Sequence, residues 1–173
     1  MEHHYEIEHK GILLRPLQHG DIESLRLWRN DAENSQYIRK IPFITSEAQE
    51  AWFAAEMRDP ATLTFAICAD SELVGSVAFY DIHEGAAEFG RLMVGSAKGK
   101  GIGFRATEAS MRFAFEVLQL VSIQARVSVD NIAALIIYIR IGFCVKSREY
   151  NPQAQMDEFE LSLTNDRFFR LTA

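Results

Sequence analysis

Apolar positions recur along this chain with two different periods, and the change between them divides it. Near the start, Gly11–Leu17 (GILLRPL) reads as a strand stopped by Pro16. His19-Gly20-Asp21 follows as a turn, with Asp21 placed to cap a helix over Ile22–Asn30. In that helix Ile22, Leu25 and Trp28 fall at i, i+3 and i+6, a core stripe that leaves Arg26, Arg29 and Asn30 near the surface. Tyr37–Ile44, which contains Pro42, is a polar-aromatic connection. A second helix is expected over about Glu47–Arg58, capped by Thr45 or Ser46, with Ala48, Trp52, Phe53 and Met57 as its apolar positions.

From Leu63 the texture changes to strands. LTFAICA and ELVGSVAFY flank Asp70-Ser71-Glu72, a hairpin signal, and Asp81–Gly85 is a second turn leading into a strand over Ala87–Val94. A glycine-rich turn then opens a long amphipathic helix reaching about Leu118. Val121–Val129 is another strand, and Asn131 caps a short, very apolar helix (AALIIYIRI) that ends at Gly142. Phe143–Glu149 and Met156–Leu163 close the chain as an antiparallel pair joined by Asn151-Pro152. The order β-α-α-β-β-β-α-β-α-β-β describes an α+β fold with a mixed, mostly antiparallel sheet and one βαβ crossover. It lacks the repeating βα alternation of a doubly wound fold.

Composition narrows the function. At 173 residues the chain is expected to form one domain, with 12 Phe supplying a generous core. A net charge of −6 argues against nucleic-acid binding, because a phosphate backbone wants a basic face. No run approaches the ~20 apolar residues of a membrane span, and the first residues lack the apolar stretch of a signal peptide, so a cytoplasmic protein is expected. His3 and His4 read as a solvated end rather than metal ligands, and no metal is expected. Cys68 and Cys144 sit in apolar strand-like runs and read as free core cysteines.

The chemistry concentrates in Glu88–Thr107, EFGRLMVGSAKGKGIGFRAT. Glycines at Gly99, Gly101 and Gly103, with Lys98 and Lys100 beside them, open a helix where a phosphate or pyrophosphate can sit on bare backbone N–H groups. A P-loop is excluded, since Gly99-Lys100 is followed by Gly101 and no glycine stands at Val94. A dinucleotide fingerprint can be spelled from Gly101, Gly103 and Ala106, with Asp130 at the end of the next strand. Gly95–Gly99 intervene where it needs a tight turn, and only one βαβ unit is present.

Lys98–Gly103, KGKGIG, resembles the [Q/R]-x-x-G-x-[G/A] turn of the GNAT superfamily of acetyl-CoA-dependent N-acetyltransferases. Lys98 replaces the usual Arg or Gln, and the preceding turn, Gly95–Ala97, is one residue shorter. Downstream, Asn131–Phe143 resembles the superfamily's N-x-x-[A/S]-x-x-x-Y-x-x-x-G-F at Asn131, Ala134, Tyr138, Gly142 and Phe143. Ala134 and Tyr138 are i, i+4 neighbours on one helix face. On residue types alone, Tyr138 also reads as a core aromatic and Asn131 as a plain helix cap.

The resemblance implies a GNAT-like sheet with helices on both faces and acetyl-CoA as co-substrate. It implies that the backbone of Leu92, Met93 and Val94 pairs with the pantetheine amides. The turn residues Lys98, Gly99, Lys100, Gly101, Ile102, Gly103 and Phe104 would cradle the pyrophosphate, with Asn131 and Ala134 flanking the pantetheine arm. Tyr138 becomes the general acid for the departing thiolate, and Glu88 a candidate base for the amine, with an exposed strand-start charge as its alternative.

The first half of the chain resembles the RimJ/RimL-type branch and its relatives that act on nucleotide-linked aminosugars. Arg29, Asn30, Tyr37 and, more weakly, His83 are then candidates for the acceptor groove. The expected acceptor is a primary amine of a small molecule, aminosugar-like, or a protein N-terminus. A monomer or homodimer is expected. A non-catalytic acyl-CoA-binding or sensing module on the same fold is the alternative function.

Overall fold

The computed structural model describes residues 2–37 and 42–172. At its centre is one sheet of eight strands, ordered β1-β2-β3-β4-β5-β6-β8-β7. The strands are β1 (Ile7–His9), β2 (Ile12–Pro16), β3 (Leu63–Ala69), β4 (Glu72–His83), β5 (Ala86–Val94), β6 (Ser122–Ser128), β7 (Cys144–Asn151) and β8 (Met156–Thr164). Every neighbouring pair is antiparallel except β5 and β6. The helices are α1 (Ile22–Asn30), α2 (Ala32–Ser35), α3 (Ser46–Glu56), α4 (Ile102–Arg112), α5 (Ile132–Ile141) and α6 (Asn165–Thr172). A π-helical turn, Phe113–Val117, prolongs α4.

Strand alternation sorts the core into two faces. Phe65, Ile67, Phe79 and Phe89 point to the side covered by α4 and α5, where they join Ile102, Met111, Phe113, Tyr138 and Phe143. Ala66 points the other way, into a smaller cluster with Leu17, Ile22 and Leu25, against which Trp28, Trp52, Phe53 and Met93 pack. Phe65 and Phe113 meet edge-on at 5.4 Å, as Phe79 and Phe89 meet at the same separation. Burying each such ring stabilises the fold by about 1.5–3 kcal/mol.

The expected elements are present, and the differences have physical causes. A strand precedes Ile12: Ile7–His9 turns back through Lys10-Gly11, both at positive φ, and pairs with β2. His3 is not solvated; it is buried, its ring Nε2 lies 3.1 Å from the Thr64 carbonyl, and it stacks on Phe65 at 4.5 Å. Asp21 makes no side-chain cap on α1. Its carboxylate instead accepts from Arg15 at 2.7 and 2.8 Å and from the Gln18 N–H at 2.8 Å, which fixes the entry to the helix.

On α3 the cap is Thr45, whose hydroxyl accepts from the Ala48 N–H. The residues that this helix buries are Gln49 and Glu56, while Ala48 is exposed and Trp52 and Phe53 are half-buried. The second strand of the Leu63 hairpin runs on to His83, because pairing with β5 continues to His83↔Ala86; the turn is confined to Glu84-Gly85. Ile38–Ile41 of the polar-aromatic connection lie outside the described residues. A final helix, α6, buries Phe168 against Phe115, and α5 is itself a crossover that places β7 beyond β8.

Candidate active site

The site begins where two strands part. β5 and β6 are registered only over Ala86↔Ser122, Ala87↔Ile123 and Glu88↔Gln124. Past Glu88, β5 pairs with β4 alone, while β6 stays registered with β8 along its whole length. Leu92, Met93 and Val94 therefore lie on a strand with one open edge, a template for an extended amide-bearing ligand. The edge is reshaped by a bulge: Ala78 pairs with Gly90 but Ser76 with Met93, and Arg91 within it has φ +52°.

At its C-terminal end β5 runs into the glycine turn. Ala97, Gly99 and Gly101 all have positive φ, at 55°, 78° and 69°, and Lys98 and Lys100 between them do not. Alternation of this kind turns successive N–H groups to one concave side, an anion-binding nest. Gly101 is also the N-cap of α4 and brings no side chain, so the first N–H groups of the helix, at Ile102, Gly103 and Phe104, have no intrahelical partner. The helix dipole adds to their attraction for an anion. Arg105 braces the turn by donating to the carbonyls of Lys10 at 2.7 Å and Lys100 at 3.3 Å.

The glycines differ in what they allow. Gly99 and Gly101 have open space around them and supply left-handed backbone. Gly103 lies inside α4, where a Cβ would come within 3.1 Å of Ile137 of α5, so it also sets the spacing between the two helices. Lys98 pairs with Glu33 of α2 at 3.2 Å across an exposed cleft. That cleft, about 550 Å³, lies between the α1–α2 segment and the turn, and includes Trp28, Asp31 and Gly95. Neither Glu88 nor Tyr138 lines it.

Across the gap, Asn131 caps α5 by accepting from the Ala134 N–H at 3.1 Å, and Ala134 is partly buried on the core-facing side. Tyr138 is buried, its ring against Phe89 at 6.1 Å and Phe143 at 5.3 Å. Burial raises the ionisation of its phenol above the usual value near 10, so the group stays protonated. Its hydroxyl makes no hydrogen bond to any described residue. Arg140, two residues beyond Tyr138 in the last turn of α5, lays its guanidinium over Phe104 at 4.6 Å.

Glu88 sits on the opposite face of β5 from Phe89 and is half-buried. It is paired directly across the sheet with Tyr80, whose hydroxyl donates to Glu88 Oε1 at 2.8 Å. Glu88 Oε2 has no hydrogen-bond partner among the described residues. Burial, and then the Glu88 charge, push the Tyr80 phenol well above its usual range. Arg91 lies 5.0 Å over the Tyr80 ring and donates to the buried Glu56 of α3, which also accepts from the Thr64 hydroxyl.

The acceptor candidates fare unevenly. Asn30 uses both ends of its amide on the Ile44 backbone, at 2.9 Å each, and so closes the loop before α3. Arg29 is half-buried and Tyr37 exposed. His83 is exposed at the far end of the β4–β5 hairpin, the last residue of β4, its Nδ1 2.6 Å from the Asp81 carbonyl. Tyr80, Gly90 and Arg91 were not anticipated. The turn at Glu84-Gly85 alone would set Tyr80 opposite Phe89; the register shift between Tyr80 and His83, where Asp81 has φ +52°, moves it opposite Glu88, and no local sequence signal marks that shift.

The open edge and the nest together suit a ligand with amides at one end and a pyrophosphate at the other, and the residues present fit coenzyme A. Comparison with known proteins agrees. A family model of the acetyltransferase (GNAT) domain matches residues 12–144. Spermidine N(1)-acetyltransferase of Escherichia coli strain K12 is 27% identical over 138 residues, 79% of this chain and 74% of that protein. Acetyltransferase PseH of Campylobacter jejuni is 26% identical over 125 residues, 72% of this chain and 78% of that protein.

Among solved structures, spermidine N-acetyltransferase from Vibrio cholerae in complex with CoA and spermine superposes with a TM-score of 0.84 at 20% identity, covering 92% of this chain and 98% of that one. Mycobacterium smegmatis RimJ in complex with CoA-disulfide gives 0.78 at 20% identity, covering 94% and 87%. With the family model spanning both sequence motifs and every strand of the parted sheet from β2 to β6, this chain belongs to the GNAT family of acetyltransferases.

Proposed function

We propose that this N-acetyltransferase passes the acetyl group of acetyl-CoA directly to a primary amine of a small molecule. The observation that carries the reading is the parting of β5 from β6 after Glu88, which leaves an open strand edge leading into the Ala97–Gly101 nest. Leu92, Met93 and Val94 would hold the pantetheine amides. The N–H groups from Gly99 to Phe104 would hold the pyrophosphate. Asn131 stays a helix cap, and Ala134 keeps the α5 face low beside the arm.

Acetyl-CoA, when bound, supplies an acetyl thioester. The chain's residues handle the protons. An amine must be neutral to attack, and Glu88, half-buried on the face of β5 opposite Phe89, would take its proton, directly or through water. Tyr138 lies on the other face, packed on Phe89, and keeps its proton for the departing sulfur. Neither cysteine lies in these motifs, which favours direct transfer over an acyl-cysteine route.

A small cationic acceptor is supported by the chain's net charge of −6 and by relatives named for spermidine acetylation. The test has two parts. Acetyl-CoA at millimolar concentration should raise the melting temperature, and Gly103→Glu should abolish the rise. A thiol-release assay across polyamines, nucleotide-linked aminosugars, aminoglycosides and peptide N-termini should find turnover with a small-molecule amine. Turnover with peptide N-termini alone would move the acceptor to protein, and acetyl-CoA binding without turnover on any amine would make the chain a binding module.

A further inference from the structure

We propose that Tyr80 is a positioning residue for Glu88: its phenol holds the carboxylate by Oε1 and leaves Oε2 as the oxygen that takes the proton of the acceptor amine. This rests on the reading of Glu88 as the base and adds the device that aims it. Three observations converge on the pair. Tyr80 and Glu88 are exact cross-strand partners on the face opposite Phe89, with the phenol 2.8 Å from Oε1 and no described residue bonded to Oε2.

Second, β5 gives up a side chain to make room for the phenol. Gly90 is the next residue on the same face, and a Cβ there would stand 2.8 Å from the Tyr80 oxygen and 3.2 Å from its Cε1. Glycine weakens the interior of a strand, so its presence marks a close approach that matters. Third, the ring is gripped from above by Arg91, which the bulge turns over it at 5.0 Å and which Glu56 anchors from α3. A pair that served only to join β4 and β5 would do so better as two apolar side chains, without desolvating a carboxylate. Because burial keeps the phenol protonated, the hydrogen always runs from Tyr80 to Glu88 and never the reverse.

The first measurement needs no acceptor. Isotope-edited infrared difference spectra of wild type against Tyr80→Phe should show the Glu88 carboxylate stretch moving when the phenol is lost; an unmoved band would overturn the hydrogen bond. The second uses the amine identified by thiol release. Tyr80→Phe should lower kcat about 10-fold with KM for amine and acetyl-CoA unchanged, the loss expected when one hydrogen bond to a charged group goes. In a Glu88→Gln background the same substitution should cost nothing further, since both act through one carboxylate.

Gly90→Ala should reproduce the kcat loss by crowding the phenol, and should add little once Tyr80 is Phe. If Glu88→Gln leaves turnover intact, the base reading itself fails and the positioning role falls with it. If Glu88→Gln is damaging but Tyr80→Phe changes KM alone or adds fully to it, Tyr80 is a packing residue and only this inference is overturned.

Discussion

Trp28 of α1 packs directly on Gly95, where even a methyl group would overlap the indole ring. The contact ties the acceptor-side helices to β5 one step before the nest. The backbone cannot recede, because the Gly95 N–H bonds to the Val74 carbonyl at 2.9 Å. Gly95→Ala should therefore expel the indole or shift the turn, costing about 1–3 kcal/mol as overpacking does. In a Trp52→Phe background, where Trp28 is the one fluorophore of its kind, emission should move to longer wavelength, and acetyl-CoA binding should weaken. Unchanged emission and affinity would show that the turn does not depend on α1.

Two glycines of the turn should fail in different ways. Gly101→Ala places a Cβ in a left-handed residue with open space around it, so the cost is backbone strain, about 1–2 kcal/mol, together with loss of the nest. Gly103→Ala keeps helical geometry and meets only the end of Ile137, a flexible side chain. Acetyl-CoA affinity, read by calorimetry, should fall more for Gly101→Ala than for Gly103→Ala. The reverse ranking would mean that the ligand approaches Gly103 more closely than the backbone of the turn.

These contacts also mark what a sequence conveys. Ile22–Asn30, the Asn131 cap and the Gly142 stop were legible because capping and periodicity are local, and the helices start and end where those residues stand. Two motifs separated by a strand were enough to expect a GNAT-like mixed sheet with a βαβ crossover, but the point where β5 and β6 part was not legible, because it is set by pairing across the sheet. The N-terminal strand was not legible: in MEHHYEIEHK one partly buried Ile7 carries the apolar signal, and pairing with β2 supplies the rest. Gln49 and Glu56 carry no apolar signal, yet both are buried, and Glu56 is compensated by the Thr64 hydroxyl at the start of β3 and by Arg91 from β5, farther along the chain. Tyr80 was missed for the same reason, since its meaning comes from Glu88 across the hairpin.

Tyr138→Phe should separate chemistry from folding. The hydroxyl has no hydrogen-bond partner among the described residues, while the ring fills a site between Phe89 and Phe143 that phenylalanine can occupy. Stability measured in urea should change by less than about 1 kcal/mol. Acetyl-CoA affinity should hold, and kcat should fall by about 100-fold, within the usual range for removing a general acid. Because burial raises the phenol's ionisation above its usual value near 10, wild-type turnover should show no basic limb from this residue below pH 10. Unchanged turnover in the variant would assign Tyr138 to packing.

The buried His3 gives the fold an acid sensitivity. Its Nδ1 accepts from the Tyr5 N–H at 3.3 Å, so Nε2 carries the hydrogen that reaches the Thr64 carbonyl at 3.1 Å, and the ring is neutral. Burial lowers its ionisation below the usual 6.5, outweighing the Thr64 carbonyl, which favours the charged ring. As pH falls through 6.5 the unfolded chain binds this proton before the folded one does, so stability declines from there down to the folded value and then levels. Above pH 7 the residue contributes no slope. The loss is about 1.4 kcal/mol for each unit by which folding depresses the group. Melting temperature followed from pH 8 to pH 5 should therefore drop more steeply for wild type than for His3→Gln, which keeps a donor for Thr64 but does not titrate. Parallel curves would mean that the folded chain binds this proton as readily as the unfolded one, so that burial of His3 exerts no acid sensitivity.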